Sequence, residues 1–77
     1  QQVLLDAWKY ASNLDTNMIF KHPVREGDAP GYHQVIKMPM DLSTIRKKIL
    51  GGGYPSFKDF ERDLELMWHN CTAYNAA

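Results

Sequence analysis

Residues 56–75, SFKDFERDLELMWHNCTAYN, place Phe57, Phe60, Leu64, Met67, Trp68, Cys71 and Tyr74 mostly three or four positions apart. That spacing gathers one apolar face on a helix, and it leaves Lys58, Glu61, Arg62 and Glu65 on the opposite face. Ser56 followed by Asp59 makes a capping-box-like start. The run holds neither proline nor glycine, so a helix is predicted over about residues 56–75. Immediately before it, Gly51, Gly52 and Gly53 stop an earlier helix. That earlier helix opens at Asp41, a good N-cap, and repeats Leu42, Ile45, Ile49 and Leu50 at helical intervals over about 41–51. Arg46, Lys47 and Lys48 lie near its C-terminal end, where the helix dipole favours cations.

Further toward the N-terminus the pattern changes. Residues 16–40 contain Pro23, Pro30 and Pro39 with Gly27 and Gly31, which argue against a continuous helix. A connection this long is uncommon inside a small domain and points to function or disorder. Disorder is disfavoured, because the segment keeps Met18, Ile19, Phe20, Val24, Tyr32, Val35, Ile36 and Met38. One or two helical turns are expected after the Pro30–Gly31 step. Residues 1–15 then place Leu4, Ala7, Trp8, Ala11 and Leu14 on one stripe, with Lys9, Ser12 and Asn13 outside it. No strand alternation and no internal repeat appears. The fold class is all-α, with three helices and one long, apolar-rich loop.

The 77 residues suit one small domain. Nine basic and nine acidic residues cancel, so the summed charge offers no general attraction for nucleic acid or an anionic membrane. The longest aliphatic or aromatic runs are three residues, too short to span a bilayer. A lone cysteine, Cys71, fits a reducing compartment. Enzymatic signatures are weak. The triple glycine follows a helix instead of a strand and lacks the Lys-Ser/Thr of a phosphate loop. His22, His33, His69 and Cys71 match no zinc spacing, and His69 and Cys71 point to different faces of one helix. Cys71 sits on an apolar face, where burial keeps a thiol inert. No catalytic residue, metal or cofactor is therefore expected. Arg46–Lys47–Lys48 reads as a solvated helix end. Asn75 taken alone is a helix C-cap, and Tyr32 taken alone is a half-buried loop aromatic.

Position within a longer pattern changes the reading of those two residues. APGYHQVIKMPMDLSTI (29–45) and SFKDFERDLELMWHNCTAYN (56–75) resemble the bromodomain family, and Phe20-Lys21-His22-Pro23-Val24 resembles the opening of that family's first long loop. The step from Val24 to Pro30 is closest in length to the loops of bromodomains in acetyltransferases and nucleosome remodellers. The resemblance implies a left-handed four-helix bundle of which the first three helices fall within this chain. The fourth helix, with the gatekeeper residue at its start, is expected beyond Ala77. It also implies an acetyl-lysine pocket anchored by Asn75, with Tyr32 contacting the ligand through a water. Phe20, Pro23, Val24 and Ala29 are implied as its apolar wall, Cys71 and Tyr74 as its helical side. Asn70 matches an asparagine that holds the loop. The chain departs from the family pattern at Met18-Ile19-Phe20, where many members carry Trp-Pro-Phe, and at Ala76, where a proline is common.

Acetylation turns the lysine ammonium into an amide with one carbonyl acceptor and a methyl group. An apolar slot accepts that group, whereas an ammonium would lose hydration there at a cost of several kcal/mol without a carboxylate partner. The Asn75 amide, expected at the floor of the slot, would donate its NH2 to the acetyl carbonyl. A water on Tyr32 would supply a second partner. One or two hydrogen bonds at about 1 kcal/mol each and roughly 100–150 Å² of apolar burial at 25 cal/mol per Å² leave a modest binder. Dissociation constants from roughly 10 μM to 1 mM follow after association costs. Glu26 and Asp28 would add a weak attraction for a basic peptide. The expected function is non-catalytic recognition of acetylated lysine, on histone tails or another acetylated peptide, within a larger nuclear chromatin protein. No direct nucleic-acid or membrane partner is expected. The alternatives are a helical interaction module with a degenerate pocket and a substrate-targeting domain of a chromatin-modifying enzyme.

Overall fold

Side-chain periodicity and capping chemistry divide the chain into four helical segments in a computed structural model that describes residues 2–15, 19–25 and 27–76. Helix α1 is Gln2–Leu14, α2 is Tyr32–Val35, α3 is Leu42–Leu50 and α4 is Phe57–Ala76. No strand occurs among the described residues, so the fold is all-α. Met18, Glu26 and Ala77, which the sequence singles out, lie outside the described residues. No helix among them is long and apolar enough to cross a membrane.

Helix α3 forms because both of its ends are chemically specified. The Asp41 carboxylate accepts from the Thr44 backbone amide and from the Ser43 and Thr44 hydroxyls. At the other end, Gly53 donates to the Lys48 carbonyl at 2.7 Å and Gly52 to the Ile49 carbonyl at 3.1 Å. With Gly52 at φ +73°, this is a Schellman stop. At the start of α4, Ser56 donates its hydroxyl to the Asp59 carboxylate at 2.9 Å instead of capping a backbone amide.

The core forms where α3 meets the flanking helices. Leu42, Ile45, Ile49, Tyr54, Phe60 and Met67 are buried together, and Leu4, Ala7, Trp8 and Ala11 of α1 pack against them. Trp8 also donates its indole N–H to the Leu42 carbonyl at 2.7 Å, which fixes α1 on the start of α3. Not every residue on the predicted apolar stripes is buried. Leu14 is 63% exposed and Trp68 46%, and Leu50 and Phe57 are also exposed. The stripes on α1 and α4 are wider than the surface α3 covers, so their margins face solvent beside a cleft that also touches Ala11, Phe20 and Met67.

Polar ties hold the described parts of the long connection in place. Buried Asp15 accepts from the backbone amides of Ile19 (2.8 Å) and Phe20 (2.7 Å). The Phe20 and Lys21 carbonyls accept from the Leu42 and Ser43 amides, so the loop occupies the free donors at the α3 N-terminus. Asn70, only 4% exposed, donates to the Met38 carbonyl at 2.7 Å. These ties bring residues 19–25 and 27–40 across the C-terminal half of α4.

Candidate functional site

Where that loop crosses α4, it leaves a cavity of about 280 Å³. Phe20, Val24, Ala29 and Tyr32 contribute from the loop side. Cys71, Tyr74 and Asn75 contribute from α4, where spacings of three and four bring them to one face. Seven of the eight residues singled out in the sequence thus line one space. Pro23 is not among them: its ring is exposed, and His22 and Val24 on either side of it form that part of the wall.

Five further lining residues escaped the sequence reading: Ile19, His22, Met40, Asp41 and Met67. Met67 had a signal, since it lies one turn before Cys71 on the same stripe. Met40 and Asp41 carried only the signature of a helix start. Ile19 and His22 stood within the stretches Met18-Ile19-Phe20 and Phe20-Lys21-His22-Pro23-Val24 but were not assigned to the wall, and the loop path turns them toward the cavity.

The helical wall is braced against the loop. Tyr74 donates its hydroxyl to the Pro30 carbonyl at 3.0 Å, a tie the sequence did not suggest. Its ring lies 5.2 Å from the Tyr32 ring at 54°, and the Tyr32 ring meets His33 edge-on at 5.4 Å. Tyr32 is buried. Burial raises its phenol pKa above the ordinary value, and the charges of Cys71 and Asp41 push in the same direction. The hydroxyl therefore stays neutral and able to donate as well as accept at physiological pH.

Asn75 is exposed, so its amide stands at the rim and not at the expected floor. The amide nitrogen lies 3.5 Å from the Cys71 sulfur, one turn back on α4. A thiol is a weak acceptor and the amide has two donors, so the contact orients the group and leaves a hydrogen for a ligand. Asn75 is inside the last turn of α4, not a cap beyond its end.

Among the described residues, the only carboxylate lining the cavity is Asp41. It is buried, and its oxygens already accept from Ser43 and from two groups of Thr44. Its partners are neutral, and they hold the carboxylate at the start of α3, while most of the remaining wall is apolar. No group of three or more His, Cys, Asp or Glu suited to a metal occurs among the described residues. The space suits a neutral, narrow group with an acceptor near the rim.

Comparison with known proteins places these features in a family. The family model described as Bromodomain matches residues 4–77. The chain is 37% identical over 76 residues to the SAGA complex subunit SPT7 of Saccharomyces cerevisiae, covering 99% of this chain and 6% of that protein. It is 40% identical over 75 residues to bromodomain-containing protein 9 of Xenopus tropicalis, covering 97% of this chain and 13% of that one. Among solved structures, a hypothetical bromodomain of Trypanosoma brucei in complex with bromosporine superposes with a TM-score of 0.89 and 38% identity. That match covers 92% of this chain and 62% of the other. The chain therefore spans a small part of these curated relatives and under two thirds of that solved domain.

Proposed function

The chain belongs to the bromodomain family, whose members are typically non-catalytic acetyl-lysine readers, and on that premise we propose that the cavity between loop and α4 receives acetyl-lysine with Asn75 as its anchor. The Asn75 amide donates to the acetyl carbonyl, and a water held by Tyr32 supplies its second partner. Phe20, Val24 and Tyr74 enclose the methyl group and the lysine stem. The ligand is an acetylated histone tail, and the domain is part of a larger chromatin protein in the nucleus. Support for the chromatin setting comes from the relative named as a SAGA complex subunit.

The observation that carries this reading is the gathering of Asn75, Tyr32 and a mostly apolar wall around one cavity. An unmodified lysine would bring its ammonium into a space lined mostly by apolar side chains and lose hydration there. The acetylated side chain has no charge to neutralise.

Calorimetric titration with one histone-tail peptide in acetylated and unmodified forms tests the proposal. A clear preference for the acetylated form is expected. Asn75→Ala should weaken that form at least about tenfold, near 1.4 kcal/mol, with helicity unchanged because Asn75 is exposed. Equal responses to both peptides would support a general helical interaction module instead. Bromosporine, present in the trypanosome structure, should displace the acetylated peptide if the two cavities correspond.

A further inference from the structure

The summed charge of zero conceals a segregation. Helix α3 carries Arg46, Lys47 and Lys48 and no carboxylate, whereas α4 carries Asp59, Glu61, Asp63 and Glu65 against Lys58 and Arg62, a net of −2. Of the α3 cations, only Lys48 is neutralised, by Asp63 at 2.7 Å. Arg46 and Lys47 are exposed and open onto a cleft of about 230 Å³ between α1, the start of the loop and α3. Lys21 lines the same cleft, and among the described residues no acidic one does.

Two of the three cations, Lys21 and Arg46, are held by neutral groups. Lys21 Nζ donates to the Ser12 carbonyl at 2.8 Å and to its hydroxyl at 2.7 Å, which leaves a third donor. The Arg46 guanidinium stands 5.8 Å from the centre of the Trp8 ring, a cation–π contact. Among the described residues, no salt bridge involves Lys21, Arg46 or Lys47. Lys21 and Arg46 are thus positioned in advance without their charge being cancelled, and Lys47 adds an exposed charge at the same cleft.

We propose that this cleft is a second binding site, for the phosphate backbone of nucleic acid. A single carboxylate on a peptide can pair with one or two such cations. A phosphodiester strand repeats its charge about every 3.4 Å and can meet all three together, releasing condensed counterions as it does so. The contacts are to backbone alone, so binding is weak and independent of sequence. This proposal departs from the absence of a nucleic-acid partner expected from summed charge, because a sum carries no information about distribution.

NMR titration of the full chain with a short mixed-sequence DNA duplex tests the idea. The amides of Lys21, His22 and residues 43–47 should shift, and the affinity should fall steeply with salt. The double variant Arg46→Glu, Lys47→Glu should lose these shifts at DNA concentrations that half-saturate the parent chain, and the single variants should each lower the log–log salt slope by about 0.9. Lys58→Glu changes charge at a position outside the cleft and should leave DNA binding within about twofold, given salt screening of distant charges. Equal loss in Lys58→Glu, shifts confined to other residues, or tighter binding of poly-glutamate than of DNA would overturn the proposal. The acetyl-lysine cavity contains neither Arg46 nor Lys47, so peptide titration of the double variant reports folding separately. Retained peptide binding with lost DNA binding supports the site, and loss of both with reduced helicity assigns the two residues to stability and overturns it.

Discussion

Tyr74 shows what a single residue adds beyond its place in a pattern. Its helical spacing put it on the α4 face, but its hydroxyl reaches the Pro30 carbonyl across 44 positions of sequence. Tyr74→Phe keeps the ring contact with Tyr32 and removes only that bond. Global stability should fall by about 1 kcal/mol or less, the usual net value of a hydrogen bond with access to water. Acetyl-peptide affinity should fall threefold to tenfold, because the loop wall then has one fewer tie to the helix. Urea unfolding and calorimetry separate the two effects, and unchanged affinity would show that the tie does not position the wall. Much of the candidate site was legible at this scale because family-like motifs fix residue types along α4 and around Tyr32. His22 and Ile19 were not legible, since their approach to the cavity depends on a loop path drawn by Asp15 and Asn70. The placement of Asn75 at the rim, likewise, is a matter of solvent access that neighbouring residues in sequence do not encode.

Elements were legible where termini carry their own chemistry. Helix α3 is bounded by an aspartate cap and a glycine stop, and its limits follow from those residues almost alone. Gly52 has open space around its missing Cβ, so packing places no demand on it, and φ +73° is what requires glycine there. Gly52→Ala should therefore destabilise by about 1 kcal/mol through backbone strain alone. Gly51→Ala meets a different obstacle, since its Cβ would sit 3.3 Å from the Lys47 carbonyl. Thermal unfolding by circular dichroism checks the first, and an unchanged midpoint would mean that the stop relaxes without cost. The loop between α1 and α3 was legible as apolar, as carrying a short helix after Pro30–Gly31 and, through the family resemblance, as held by Asn70. Its path required the local turn that Asp15 makes with Ile19 and Phe20 and the long-range ties of Trp8 and Asn70.

At the scale of the whole molecule, helical periodicity overstates the core. It assigns Trp68 and Phe60 to one face, yet the first is half exposed and the second is 1% exposed within the central cluster. Phe60→Ala should cost about 3–5 kcal/mol, a large share of the roughly 4–12 kcal/mol typical of a domain this size. Trp68→Ala should cost about 1–2 kcal/mol, in line with partial burial; similar urea midpoints for the two would refute this ranking. Alkaline pH probes the same core through Tyr54. It is buried against Phe60 and donates its hydroxyl to Asp63, which also holds Lys48. Burial first, then the bond to the Asp63 carboxylate and its charge, raise the Tyr54 pKa far above its ordinary 10.0. Unfolded tyrosine ionises near pH 10 while the folded chain keeps the proton. The stabilising contribution is thus complete below that pH and is lost as pH rises toward the folded value, by up to about 1.4 kcal/mol per pH unit for one proton. Tyr32, raised in the same direction, adds to the decline. Tyr54→Phe should be less stable than the parent at neutral pH by about 1 kcal/mol, yet lose stability less steeply above about pH 10. The two curves should converge as the solution becomes more alkaline, and parallel curves in urea titrations would show that the Tyr54 proton is not retained by the fold.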